Sequence, residues 1–87
     1  MDLEEYFECS KRICTGIFEE LKESVKGYIR VRAEYDSIIV LITNGDFDFQ
    51  YEVQDLPELI HLGFDRTALC KDIIKVYRKA LSKKYFR

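Results

Sequence analysis

The sequence has no tryptophan, one methionine, one histidine and one proline, and only four glycines among its 87 residues. So little proline and glycine, beside 47% apolar residues, excludes a disordered or low-complexity chain. Cys9, Cys14 and Cys70 are an odd number with no C-x-x-C pair, which argues against a disulfide framework and for a reducing compartment. No apolar run approaches the ~18 residues of a membrane span. The opening MDLEEYFE is acidic where a secretory signal is basic. The expectation is a cytoplasmic protein without a membrane partner.

Catalytic signals are equally sparse. His61 is the only imidazole, and it lies in an apolar connector. No Ser or Cys stands in a nucleophile motif, and there is no P-loop, G-x-G-x-x-G or H-E-x-x-H. Cys9 and Cys14 would lie about 140° apart on a helix, too far round to share a metal. Neither an enzyme, nor a cofactor, nor a metal site is expected.

What is present is periodicity. The length suits one domain, residues 1–87. Residues 2–26 read as a helix, with Leu3, Phe7, Cys14, Phe18, Leu21 and Val25 on one stripe and Tyr6, Ile13 and Ile17 widening it. Asp2 and the early glutamates suit its positive end, and Gly27 fits a C-cap. Three alternating segments follow at 28–35, 38–43 and 47–53, with Asn44-Gly45 as a hairpin signal. Two-residue turns at Asp36-Ser37 and Asn44-Gly45 would set Val31 against Ile42 and Val40 against Phe49, all apolar rows on one face. The connector 54–64 carries Asp55, Pro57 and Gly63 as marks of a short helical turn, with Leu56, Leu59, Ile60 and Leu62 sealing one end of the core. Residues 66–86 read as a last helix, capped by Asp65, with Leu69, Ile73, Val76, Tyr77, Ala80 and Leu81 on one side and Cys70 at its edge.

The expected fold is α+β: a three-stranded antiparallel meander with a long helix from each end of the chain on its apolar face, in the order α-β-β-β-short α-α. The expected core is Phe7, Cys14, Ile17, Phe18, Leu21, Val31, Val40, Ile42, Phe49, Leu69, Ile73, Val76 and Tyr77.

Charge is segregated within the small net value of -2. Residues 1–26 carry four basic and seven acidic side chains, residues 27–64 two and seven, and residues 65–87 eight and two. Three surfaces could bind. Lys71, Lys75, Arg78, Lys79 and Lys83, with Lys84, form a basic stripe that could grip phosphates. Glu4, Glu8, Glu19, Glu23, Asp46, Asp48 and Glu52, with Glu5 and Glu20, could present carboxylates to a basic cleft. Tyr28, Ile39 and Leu41 could form an apolar patch on the outer sheet face, for a partner or a second copy.

The α-β-β-β-α order resembles the double-stranded-RNA-binding domain in topology, but the start of the last helix, Asp65–Asp72, lacks that family's basic cluster. The segments YDSIIVLITNGDFDFQYEV and DIIKVYRKALSKKYF resemble small uncharacterised proteins of phages and mobile elements in low-GC Gram-positive bacteria. The layout is also similar to that of some phage anti-CRISPR proteins. That resemblance implies a non-catalytic protein-binding module, an inhibitor or accessory factor acting on a nucleic-acid-handling protein such as a CRISPR nuclease. The alternative is a nucleic-acid binder using the basic last helix, and a homodimer is a third arrangement compatible with the sequence.

Overall fold

The computed structural model describes residues 2–63 and 65–85. Six elements follow in order: α1 (Leu3–Lys22), β1 (Tyr28–Glu34), β2 (Ser37–Asn44), β3 (Phe47–Val53), α2 (Leu56–Leu62) and α3 (Arg66–Tyr85). The strands form one antiparallel meander, β1-β2-β3. Helix α1 lies along β1 and α3 along β3, and the two helices touch above the sheet. This is the expected α+β arrangement. Residue 86, the expected end of the last helix, lies outside the described residues.

Both long helices start on an aspartate. Asp2 Oδ1 accepts from the Glu5 amide at 2.8 Å, and Asp65 Oδ1 from the Ala68 amide at 3.1 Å. Each such cap contributes about 1 kcal/mol. Helix α1 ends at Lys22, four residues before the expected end. The amides of Ser24 and Val25 both donate to the Leu21 carbonyl, at 3.0 and 2.9 Å, and close the last turn. The chain then leaves the helix axis and buries Val25 on its way into β1. Gly27 therefore does not cap the helix. Asp55 occupies the N-cap position of α2 but makes no side-chain capping bond, so only Pro57 and Gly63 act there as expected.

Both hairpin registers differ from the expected ones by two residues. Val31 pairs with Val40 and Ile29 with Ile42, while Ile42 pairs with Phe49 and Val40 with Tyr51. The turns are Tyr35-Asp36 and Gly45-Asp46. A shift of two keeps every side chain on its face, so hydrophobic alternation does not distinguish the registers. The backbone does. Gly45 takes the positive φ (+63°) at the first turn position, as type II′ turns require, while Asn44 stays in β2 and its Nδ2 donates to Tyr77 Oη at 3.1 Å. Tyr35 fills the same turn position at φ +51° without being glycine. The neighbouring backbone is fixed from both sides: Tyr6 Oη donates to the Tyr35 carbonyl at 2.6 Å, and the Leu56 amide to the Asp36 carbonyl at 2.7 Å. Such ties sustain a strain of order 1–3 kcal/mol.

The core joins Ile17, Leu21 and Val25 to Ile29, Ile38, Val40, Ile42 and Phe49, and these to Leu56, Cys70, Ile73 and Tyr77. Among the expected core residues, Cys14, Val31 and Leu69 are half-buried, and Phe7, Phe18 and Val76 are 55%, 36% and 39% exposed. Helix α1 overhangs the β1 edge. Three strands at roughly 4.8 Å spacing make a sheet narrower than its apolar stripe demands, and Phe7 and Phe18 lie on the uncovered flank. On α3 the inward line is Cys70–Ile73–Tyr77. Tyr51 Oη donates to Asp72 Oδ2 at 2.5 Å, which turns the Asp72 side of α3 toward β3 and rolls Cys70, not Val76, into the core. Leu56 seals the end of the core as expected, whereas Leu62 is 70% exposed.

The Tyr51–Asp72 bond carries a pH prediction. The bond to the Asp72 carboxylate, with burial, pushes the Tyr51 hydroxyl up to about 12 from an ordinary 10.0. The protonated phenol is the form that folding favours, so its contribution is complete below pH 10 and lost as pH rises toward 12. Cys70, also pushed up to about 12, acts in the same direction. Urea unfolding midpoints should therefore fall between about pH 9 and 12, and Tyr51→Phe should flatten the part of that decline above pH 10. A pH profile unchanged by Tyr51→Phe would mean that the bond does not form in solution.

Candidate binding surfaces

Lys71, Lys75, Arg78, Lys79 and Lys83 are all exposed. At about 100° per residue they centre some 160° from the Cys70–Ile73–Tyr77 line, so they face away from the core. Lys71 and Lys83 are about 18 Å apart along the axis. None of the five forms an ion pair among the described residues. Lys71, Lys75 and Arg78, with Ser24 and Ile74, line a shallow groove beside the end of α1.

Lys84 is separate from the stripe. Its Nζ lies 3.4 Å from Asp46 Oδ1, donates to the Asp46 carbonyl at 3.1 Å, and sits 5.6 Å from the Phe47 ring centre. Tyr85 Oη donates to the same Asp46 carboxylate at 2.9 Å. The bond from Tyr85, and then the charge of Lys84, hold the Asp46 carboxyl below its usual range. Asp46 thus fastens the β2–β3 turn to the end of α3.

The acidic candidates do not share one face. Glu4 and Glu8 line a depression with Asp2, Glu5 and Arg12 at the start of α1. Glu19 pairs with Lys22 at 3.0 Å, and Glu23 caps the far end of α1, roughly 28 Å from Glu4 at 1.5 Å per residue. Asp48 accepts from Thr43 Oγ1 at 2.9 Å on the outer sheet face, where Glu52 also lies. Glu20 turns inward toward α3. It accepts from Thr67 Oγ1 at 3.2 Å and lies 4.0 Å from Arg66 Nε, and its Oε2 is buried without a hydrogen-bond partner.

The expected apolar patch on the outer sheet face is not open. Ile39 is 5% exposed, because the register sets Arg32 and Glu52 on either side of it and their stems cover its side chain. Leu41 is half-buried between Arg30 and Gln50, and only Tyr28, 67% exposed, projects freely.

A different apolar surface lies between α1 and the free edge of β1. Phe7, Ser10, Cys14, Val31 and Ala33 line this open groove of about 560 Å³, and Lys11 and Arg32 flank it. Tyr35, 96% exposed, stands at the end of β1. The sequence carries two traces of it: an apolar stripe on α1 too wide for three strands, and a tyrosine where a turn calls for glycine.

Among the described residues no three His, Cys, Asp or Glu side chains converge on a metal position. Burial, with the Glu20 carboxylate beside it, pushes the Cys70 thiol up to about 12, and burial raises Cys14, which disfavours the nucleophilic thiolate at both. Among the described residues no helix is long and apolar enough to cross a membrane. Compared with known protein families, curated proteins and solved structures, the chain matches none of them.

Proposed function

We propose that this domain is a non-catalytic binding module that grips the phosphate backbone of a nucleic acid through α3. One observation carries the reading: five cations share an exposed face and have no ion-pair partner among the described residues. Phosphate contacts of this kind give affinity without sequence preference, and that affinity falls steeply with salt. Labelled duplex DNA, single-stranded DNA and duplex RNA, titrated by fluorescence anisotropy, test it. With four or five phosphates engaged, affinity should drop about a hundredfold between 50 and 200 mM salt. Lys75→Glu with Lys79→Glu should weaken binding at least tenfold, by roughly 1.4 kcal/mol or more, without lowering the melting temperature. An absence of binding at low salt would refute the reading and leave the acidic remainder of the chain in control of its field.

The second reading is a protein-directed one: a phage or mobile-element inhibitor or accessory factor that acts on a nucleic-acid-handling protein. The exposed carboxylates of Glu4 and Glu8 favour it, since with Glu5 they cluster at the start of α1, on another element than α3, and would meet a basic cleft. Stoichiometric capture of a nuclease, weakened by Glu4→Lys with Glu8→Lys and untouched by the α3 reversals, would establish it over the first.

A further inference from the structure

The five cations of α3 are not spread evenly over its outer face. Lys71 and Arg78 lie about 10 Å apart along the helix axis and only about 20° apart around it. Lys75 falls between them, about 40–60° to one side. Their long side chains can therefore reach one common point. That point is the groove beside the end of α1, where exposed Ser24 supplies the remaining polar group. Ser24 is fixed by its own amide, which donates to the Leu21 carbonyl at 3.0 Å, and by the buried Val25 beside it. The three cations and the hydroxyl are all hydrogen-bond donors, and among the described residues no carboxylate lines the groove. Lys79 and Lys83 stay outside it.

We propose that this groove is a subsite for a terminal phosphate of the nucleic acid, which rests on the reading of α3 as the phosphate-gripping face. Charge and donor count select a monoester there over an internal diester. A diester carries a single negative charge and has two unbridged oxygens. A terminal phosphate carries about -1.5 to -2 near neutral pH and has three. Over a diester, the three cations of the groove leave two positive charges uncompensated, and over a monoester close to one. The third oxygen also gives the Ser24 hydroxyl a partner while Lys71, Lys75 and the fork of Arg78 hold the others. From the groove the strand runs on toward the end of α3. Lys79 and Lys83, about 6 and 12 Å beyond Lys75 along the axis, meet the diesters that follow.

Fluorescence anisotropy with internally labelled duplexes of one sequence tests this, one with phosphate at every strand end and one with hydroxyls. The ratio of the two affinities is the readout. The wild type should prefer the phosphorylated duplex about tenfold or more. A hydroxyl-ended duplex about four base pairs longer, with a comparable extra charge, should gain little. Lys71→Gln with Arg78→Gln should bring the ratio close to one, and Ser24→Ala should lower it in part. Lys79→Gln with Lys83→Gln should weaken both duplexes and keep the ratio. Every one of these positions is exposed, so melting temperatures should not move. Equal wild-type affinity for the two duplexes overturns the subsite and leaves the stripe as a grip on internal phosphates. If neither duplex binds at low salt, the stripe reading falls, and inorganic phosphate at constant ionic strength decides on the groove. Amide shifts of Ser24 and Lys75 that saturate near about 10 mM phosphate would support a phosphate site while overturning its nucleic-acid source. Shifts that do not move would overturn the site itself.

Discussion

Phe49→Ala is expected to lower the unfolding free energy by about 3–5 kcal/mol, the range for removing a buried aromatic ring. A domain of this size has roughly 4–13 kcal/mol in all, so the variant stands near its unfolding threshold at 25 °C. Phe49 is only 9% exposed although β3 is an edge strand. Its ring meets Tyr77 edge-on, with centroids 5.4 Å apart and planes at 75°, and its β2 partner is Ile42. Phe47 also packs on Tyr77, with ring centroids 6.0 Å apart. Little can collapse into the space left by the ring, because Tyr77 is also tied through its hydroxyl to Asn44. The check is a urea midpoint for Phe49→Ala against Gln50→Ala, its exposed neighbour on the other face, which should change by under about 0.5 kcal/mol. A loss below about 1 kcal/mol at Phe49 would mean that α3 does not pack on β3 through Tyr77.

The fate of Phe49 shows what the sequence determines. Alternation in 47–53 places Phe47, Phe49 and Tyr51 on the inner face in either register, so the face was legible while the partner was not. Asn44-Gly45 marks the hairpin, yet the turn sits one residue later, because only Gly45 is needed at positive φ and Asn44 is engaged by Tyr77 from α3. That contact comes from 33 residues away and leaves no local trace. The same holds for the roll of α3. Helical spacing admits either Val76 or Cys70 beside Ile73 and Tyr77, and the Tyr51–Asp72 bond decides between them. The basic stripe was legible residue by residue, since a lysine-rich face opposite an apolar one has few other places to go. Its freedom from ion pairs was not, because sequence does not show that Glu20 turns to Thr67 and Arg66, or that Asp46 takes Lys84 and Tyr85. Helical and strand spacing assigns the lining of the groove beside β1 to the core. Phe7 and Phe18 have the spacing of buried residues, and only the width of the sheet leaves them outside.

Gly27→Ala should cost about 3 kcal/mol, far more than alanine at an ordinary loop glycine. Gly27 looks like a helix C-cap by its place after an apolar stripe. Helix α1 has already ended at Lys22, and Gly27 serves the entry to β1 instead. Two constraints meet there. Its φ of +135° is a conformation that side chains rarely adopt, at a cost of order 1–3 kcal/mol. A Cβ would also fall 2.6 Å from the Thr43 carbonyl oxygen, a backbone atom of β2 that cannot swing aside. Thr43 pairs with Tyr28, so relieving the clash means opening the first rung of the β1–β2 ladder, next to buried Val25 and Ile29. Gly45→Ala is the control. Gly45 also has positive φ, at +63°, but nothing lies within 4 Å of its Cβ position. Its cost should be that of the backbone alone, about 1 kcal/mol. Melting temperatures of the two variants, with hydrogen exchange at Ile29, separate the effects: Gly27→Ala should release the start of β1, and Gly45→Ala should leave it protected. Equal losses in the two would mean that the chain enters β1 without the close pass over Thr43, and that only the conformational freedom of glycine is required at either site.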